Sequence, residues 1–196
     1  MEYNVSVNSY PQKIATAIGT LKEQPLLGVE YEDLAYLGSE KGENSTEHAV
    51  LAQQTVITGK DTKNLVLLIF EEKNGEAKAD LVDVRRILKS GPPIGGLHID
   101  ASTDIPEDAK KDFDKAFEKF VGSKVEPFAY IGSQIKRGTD YVFAVTVTSI
   151  TKEPVTKVKL AIVNTLAETI GWKEIFKEDK KIEITNLVGK PLGEWP

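Results

Sequence analysis

The chain holds 196 residues, 40% of them hydrophobic and 28% charged, with a net charge of −5, which is the balance of an ordinary water-soluble globular protein. No segment approaches the ~20 apolar residues of a membrane span, and Lys and Arg are interspersed with acids through both halves, so neither a membrane nor a nucleic-acid partner is expected. Cysteine is absent and the only histidines are His48 and His98, which removes disulfides and thiolate nucleophiles and leaves almost no material for a metal site or a general base.

No enzyme motif, metal or cofactor is therefore expected. No secretory apolar region follows Met1, which leaves an intracellular chain or one beginning after a cleaved signal.

In chain order, Tyr3, Val5 and Val7 alternate with polar residues, the period of a short opening strand. Ser9-Tyr10-Pro11-Gln12 predicts a helix start: a serine cap, a proline whose missing N–H costs nothing there, and a glutamine three residues after the cap. Ile14, Ala17, Ile18 and Leu21 supply its apolar stripe and Pro25 its end. Strands are predicted over about 29–38 and 47–58, parted by the turn-forming Gly42-Glu43-Asn44-Ser45. The run Leu65 to Phe70 is too apolar for a surface element and reads as a central strand. Asn74-Gly75 after it predicts a tight primed hairpin into a strand over 79–84.

Lys89 to Gly96 is the one stretch dense in glycine and proline. It reads as a linker and trunk, 89–96, between a first unit, 1–88, and a second, 97–196. Beyond it the pattern returns: Asp104-Ile105-Pro106-Glu107 repeats the cap, proline and acid, with Pro106 standing 95 positions after Pro11. Ala109, Phe113, Ala116, Phe117 and Phe120 form the stripe and Gly122 the stop. Strands are predicted near 125–134, 140–151, 157–166 and 181–187, with Pro127 demanding an edge or a bulge. Tyr141, Phe143, Val145 and Val147 share the face meant for the helix, and the opposite face is expected to be wetter. The stretch 167–180, carrying Gly171-Trp172 and Phe176, is expected as a long functional loop. The fold class predicted is α+β, two tandem units that each pack a helix on a four- to five-stranded antiparallel sheet.

Pro93-Ile94-Gly95-Gly96-Leu97, then Pro106-Glu107 opening a helix, then Gln134-Ile135-Lys136-Arg137-Gly138-Thr139-Asp140-Tyr141 opening a strand, resembles the cystatins, protein inhibitors of papain-like cysteine proteases. The resemblance covers about 93–188 and extends through the internal repeat to the first unit as a degenerate relative. It implies a wedge that plugs a protease cleft without offering a bond for cleavage: Gly95 and Gly96 in the trunk, Gln134, Ile135, Lys136, Arg137 and Gly138 in a first hairpin, and Trp172 in a second. The sequence departs from the family at Lys136, where valine is usual, at the charged Arg137, and at Gly171, where proline is expected before the tryptophan.

The implied function is reversible binding or inhibition of a papain-like cysteine protease, in a secreted or cell-surface setting, by a monomer or a domain-swapped dimer. The alternative is a non-inhibitory binding or structural module. The first unit lacks the Gln-to-Gly spacing, the tryptophan and the glycine trunk, and reads as a spacer or packing partner.

Overall fold

A computed structural model describes residues 2–23, 28–57, 62–166, 169–175, 182–186 and 191–195. The chain divides into two compact units, Met1–Ser90 and Gly91–Pro196. In the first, strand β1 (Glu2–Ser6) is followed by helix α1 (Gln12–Glu23) and by strands β2 (Val29–Lys41), β3 (Ser45–Val56), β4 (Thr62–Lys73) and β5 (Asp80–Lys89). They form one antiparallel sheet in chain order, β1 to β5. The second unit runs β6 (His98–Ser102), α2 (Glu107–Phe117), β7 (Ser123–Lys136), β8 (Gly138–Ser149), β9 (Thr156–Asn164), β10 (Thr169–Glu174), β11 (Ile182–Asn186) and β12 (Pro191–Trp195). These strands make a seven-stranded antiparallel sheet, β12 to β6.

The α+β expectation is corrected: the structure is mostly β, with 58% in strands and, among the described residues, only two short helices, of 12 and 11 residues. The physical reason lies in the strands themselves. Asn64 to Phe70 are all buried, and because successive side chains on a strand point to opposite faces, unbroken burial means that both faces are shielded. Val66, Leu68 and Phe70 meet Ile14 and Ile18 of α1, while Leu65, Leu67 and Ile69 point the other way and are also 0–2% exposed. The second unit behaves alike. Phe143 and Val145 meet Phe113 of α2, yet Val142 and Ala144 on the face expected to be wet are buried too.

Local signals were realised unevenly. Helix α1 begins on the Pro11 carbonyl, which accepts from the Ile14 and Ala15 N–H groups, while the Ser9 N–H turns back to Ser6 Oγ. Pro106, not Asp104, holds the N-cap position of α2, and no side chain caps it. Asn74 and Gly75 do turn, with Gly75 at φ 83°, but β4 ends at Lys73 and β5 begins only at Asp80, so the hairpin is wider than the two-residue form. Pro127 sits at a register shift between β7 and β8, where the ladder does not need its missing N–H. Part of the expected 167–180 loop is strand β10, which pairs with β9. Pro25 and Phe176 lie outside the described residues.

In the first unit a buried polar cluster is built into the sheet. His48 is 6% exposed, its Nδ1 shares a hydrogen bond of 3.0 Å with Tyr36 Oη, and its Nε2 lies 3.4 Å from Glu72 Oε2. Lys13 Nζ donates to the same Glu72 at 2.7 Å. Burial holds the His48 imidazole below its ordinary 6.5, against the pull of Glu72. A depressed folded pKa means that the unfolded chain takes the proton first, so the stability His48 contributes is complete above about pH 6.5 and is lost as pH falls below it. Protection of the β3 amides 49–52, taken as the intrinsic exchange rate divided by the observed one, should fall from about pH 7.5 to 5.5, and His48→Gln should flatten that trend. A wild-type profile as flat as the variant's would dismiss the coupling.

Candidate functional site

The second unit gathers three turns at one end of its sheet. The first is the loop 91–97, closed by the Gly91 N–H donating to Leu97 O at 2.8 Å. Gly91 and Gly96 stack so closely that a Cβ on Gly91 would lie 2.7 Å from Gly96 Cα, and one on Gly96 would run into Pro92 backbone atoms. The close approach of two backbones is what requires glycine here, and it makes the trunk a tight loop with Ile94 at its tip.

The second turn joins β7 to β8. Lys136 pairs with Gly138, so Arg137 alone forms the bend, and Gly138 takes the positive φ of 91° that such a bend demands. Gln134, three residues before Arg137, donates from Nε2 to Gly95 O at 2.7 Å, which ties hairpin to loop.

The third turn leaves β9. The Thr165 N–H donates to Thr139 O at 3.1 Å and the Thr139 N–H to Thr165 Oγ1 at 3.2 Å. Asn164 Nδ2 donates to Asp140 Oδ1 at 2.6 Å and to Arg137 O at 3.3 Å, while Asn164 Oδ1 accepts from the Leu166 N–H at 3.1 Å. A Cβ on Gly138 would lie 2.9 Å from Leu166 Cγ, so the two tips are in contact.

From these turns three apolar side chains project into solvent: Ile94 is 93% exposed, Ile135 75% and Leu166 70%. Their charged companions differ in state. Asp140 is 4% exposed and Lys136 Nζ reaches its Oδ2 at 3.8 Å, with burial pressing the lysine pKa down against Asp140. Arg137 is exposed and forms no ion pair with any described residue.

Gly95, Gly96, Gln134, Ile135, Lys136, Arg137 and Gly138 thus come together, whereas Trp172 stands apart. It lies in β10 opposite Ala161 of β9, about three residues or 10 Å from the turn end of that strand. Its ring packs on Phe117 and Phe120 at 5.6 and 5.9 Å, with Lys159 Nζ 5.8 Å from its centroid. It is half-buried among the residues of α2. Comparison with family models, with characterised proteins and with solved structures finds no match for this chain.

Ile94, quoted only as part of the trunk motif, and Leu166 were not among the expected contact residues. Leu166 carried one signal, an apolar residue closing a strand just before a polar stretch. The matching end of the first unit is polar: Glu40, Lys41, Gly42, Glu43 and Asn44 are all exposed around its β2–β3 turn, which Asn74 Nδ2 braces through Glu43 O at 3.3 Å. Among the described residues no group of three or more acids and histidines is placed to hold a metal ion, and no described helix is long and apolar enough to cross a membrane. The pocket beside α2, lined by Asp112, Lys115, Lys119 and Asn164, encloses only about 90 Å3, room for a few waters.

Proposed function

We propose that the second unit is a protein-binding module whose three-turn edge enters the active-site cleft of a papain-like cysteine protease and inhibits it reversibly. The observation that carries this reading is the 2.7 Å hydrogen bond from Gln134 Nε2 to Gly95 O. With it and the Asn164 contacts, the loop and both hairpins hold Ile94, Ile135 and Leu166 ready before any partner arrives. Preorganisation of this kind spares the ordering cost that weakens flexible binders, and tight glycine turns give an attacking nucleophile no extended bond to cleave. The first unit, with its polar turn, acts as a spacer.

The direct test is titration of papain with the protein. Inhibition that saturates near one equivalent is expected, and full protease activity at large molar excess would reject the reading. Gln134→Ala should weaken inhibition about 5-fold, the effect of one lost hydrogen bond near 1 kcal/mol, without altering the fold. One observation favours a second reading, a docking module for a different protein: Trp172 lies away from the edge, which therefore lacks an aromatic anchor of the usual hot-spot kind. Binding without loss of protease activity would select that reading.

A further inference from the structure

We infer that the cleft accepting this edge presents a carboxylate to Arg137 between apolar walls; the inference rests on the protease-binding reading proposed above and names the chemistry of the partner's side. Two positive side chains stand at the hairpin tip, and the structure treats them differently. Lys136 reaches back to Asp140 at 3.8 Å, an acid that is itself buried and held by Asn164, so its charge is matched within the unit. Arg137 keeps its whole charge exposed.

Its position is fixed by its backbone. The Arg137 carbonyl accepts from Asn164 Nδ2, and the following Gly138 lies under Leu166. The guanidinium therefore starts from a defined backbone position, two residues after the exposed Ile135 and one before the glycine that meets the exposed Leu166. A partner that covers those two side chains must also take the guanidinium out of water. In a neutral apolar cleft that step leaves a desolvated, unpaired charge, which opposes binding strongly. A carboxylate can meet the planar fork with two parallel hydrogen bonds, a geometry suited to arginine and poorly matched by lysine. The chain as a whole carries −5, so overall field does not draw an acidic partner in, and the recognition has to be local.

Inhibition constants against one papain-like protease, measured for wild type, Arg137→Ala, Arg137→Lys, Arg137→Glu and Ile135→Asp, test this. Arg137→Ala should weaken inhibition about 10-fold and Arg137→Glu about 100-fold or more, with Arg137→Lys between wild type and alanine. Neutralising the acids of the protease cleft one at a time, Asp→Asn or Glu→Gln, should reveal one substitution that weakens wild type and leaves Arg137→Ala unaffected, the signature of a coupled pair. Circular dichroism checks that each variant is folded. If Arg137→Glu inhibits as well as wild type, or better, while Ile135→Asp does not inhibit, the edge binds but the carboxylate inference is overturned. If wild type does not inhibit at all, the underlying reading falls and the inference with it.

Discussion

Gly132→Ala should lower the stability of the second unit by about 3 kcal/mol or more. Gly132 is where β6 crosses β7: Ile99 pairs with it and His98 with its neighbour Ser133. A Cβ built on Gly132 would collide with the His98 carbonyl oxygen and lie 3.0 Å from both His98 C and Ile99 Cα. These are backbone atoms of a paired strand, which cannot rotate aside as the end of a long side chain can, so β6 must lift from the sheet or β7 must buckle. Gly122→Ala is the control. Gly122 also has a positive φ, 93°, but a Cβ there meets nothing within 4 Å, so only the backbone preference is lost, about 1 kcal/mol.

Both tryptophans of the chain, Trp172 and Trp195, fall in the second unit, so denaturation followed by tryptophan fluorescence reads that unit alone. Equal midpoints for the two variants would refute the close β6–β7 crossing. Because loop 91–97 leads directly into β6, a detached β6 also lets Ile94 and Gly95 leave the hairpin. On the proposed protease-binding reading, inhibition should then fall along with stability.

How far the sequence exposed this arrangement depended on the range of the contacts involved. Leu65 to Phe70 was legible as a central strand because its continuous apolar run has no other comfortable home. Its full meaning was not drawn: apolar side chains on both parities, in 65–70 and again in 142–145, announce a sheet shielded on both faces, and that is why a one-sided helix-on-sheet class failed. Trp172 was assigned by the order of motifs rather than by period. Ile170 and Trp172, flanking Gly171, alternate as a strand does, and both join the α2 cluster, as residues two apart on one face should.

The latch at the edge was illegible for a different reason. Asn164 meets Arg137 and Asp140 across 27 and 24 positions, and Gln134 meets Gly95 across 39. No local pattern marks one asparagine among many as the group that joins two hairpins. The glycines at 95, 96 and 138 were visible because turns restrict residue type, and so the edge could be located in part before its polar fastenings were known.

Trp172→Ala and Ile135→Asp should have opposite effects, and together they decide whether the tryptophan or the hairpin tip is the contact residue. Removing the Trp172 ring takes one aromatic neighbour from each of Phe117 and Phe120. A fully buried tryptophan truncation costs about 3–5 kcal/mol, and for this half-buried ring about 2–3 kcal/mol is expected, read as a lowered unfolding temperature by circular dichroism since the main fluorophore is gone. The folded fraction should nevertheless inhibit with unchanged affinity, because β10 carries the ring away from the edge. Ile135 is 75% exposed and little of it packs on the unit, so aspartate there should leave the unfolding temperature within about 2 °C of wild type. In a cleft that covers Ile135, the same aspartate buries a charge where an apolar side chain was welcome, and inhibition should weaken by at least about 30-fold, the loss of a hot spot worth roughly 2 kcal/mol. If Trp172→Ala instead abolished inhibition at full stability, the binding surface would have to be sought on the α2 side of the sheet. The half-buried ring, set edge-on and tilted against two phenylalanines of its own unit, argues for the opposite result: it holds together the scaffold from which the edge projects.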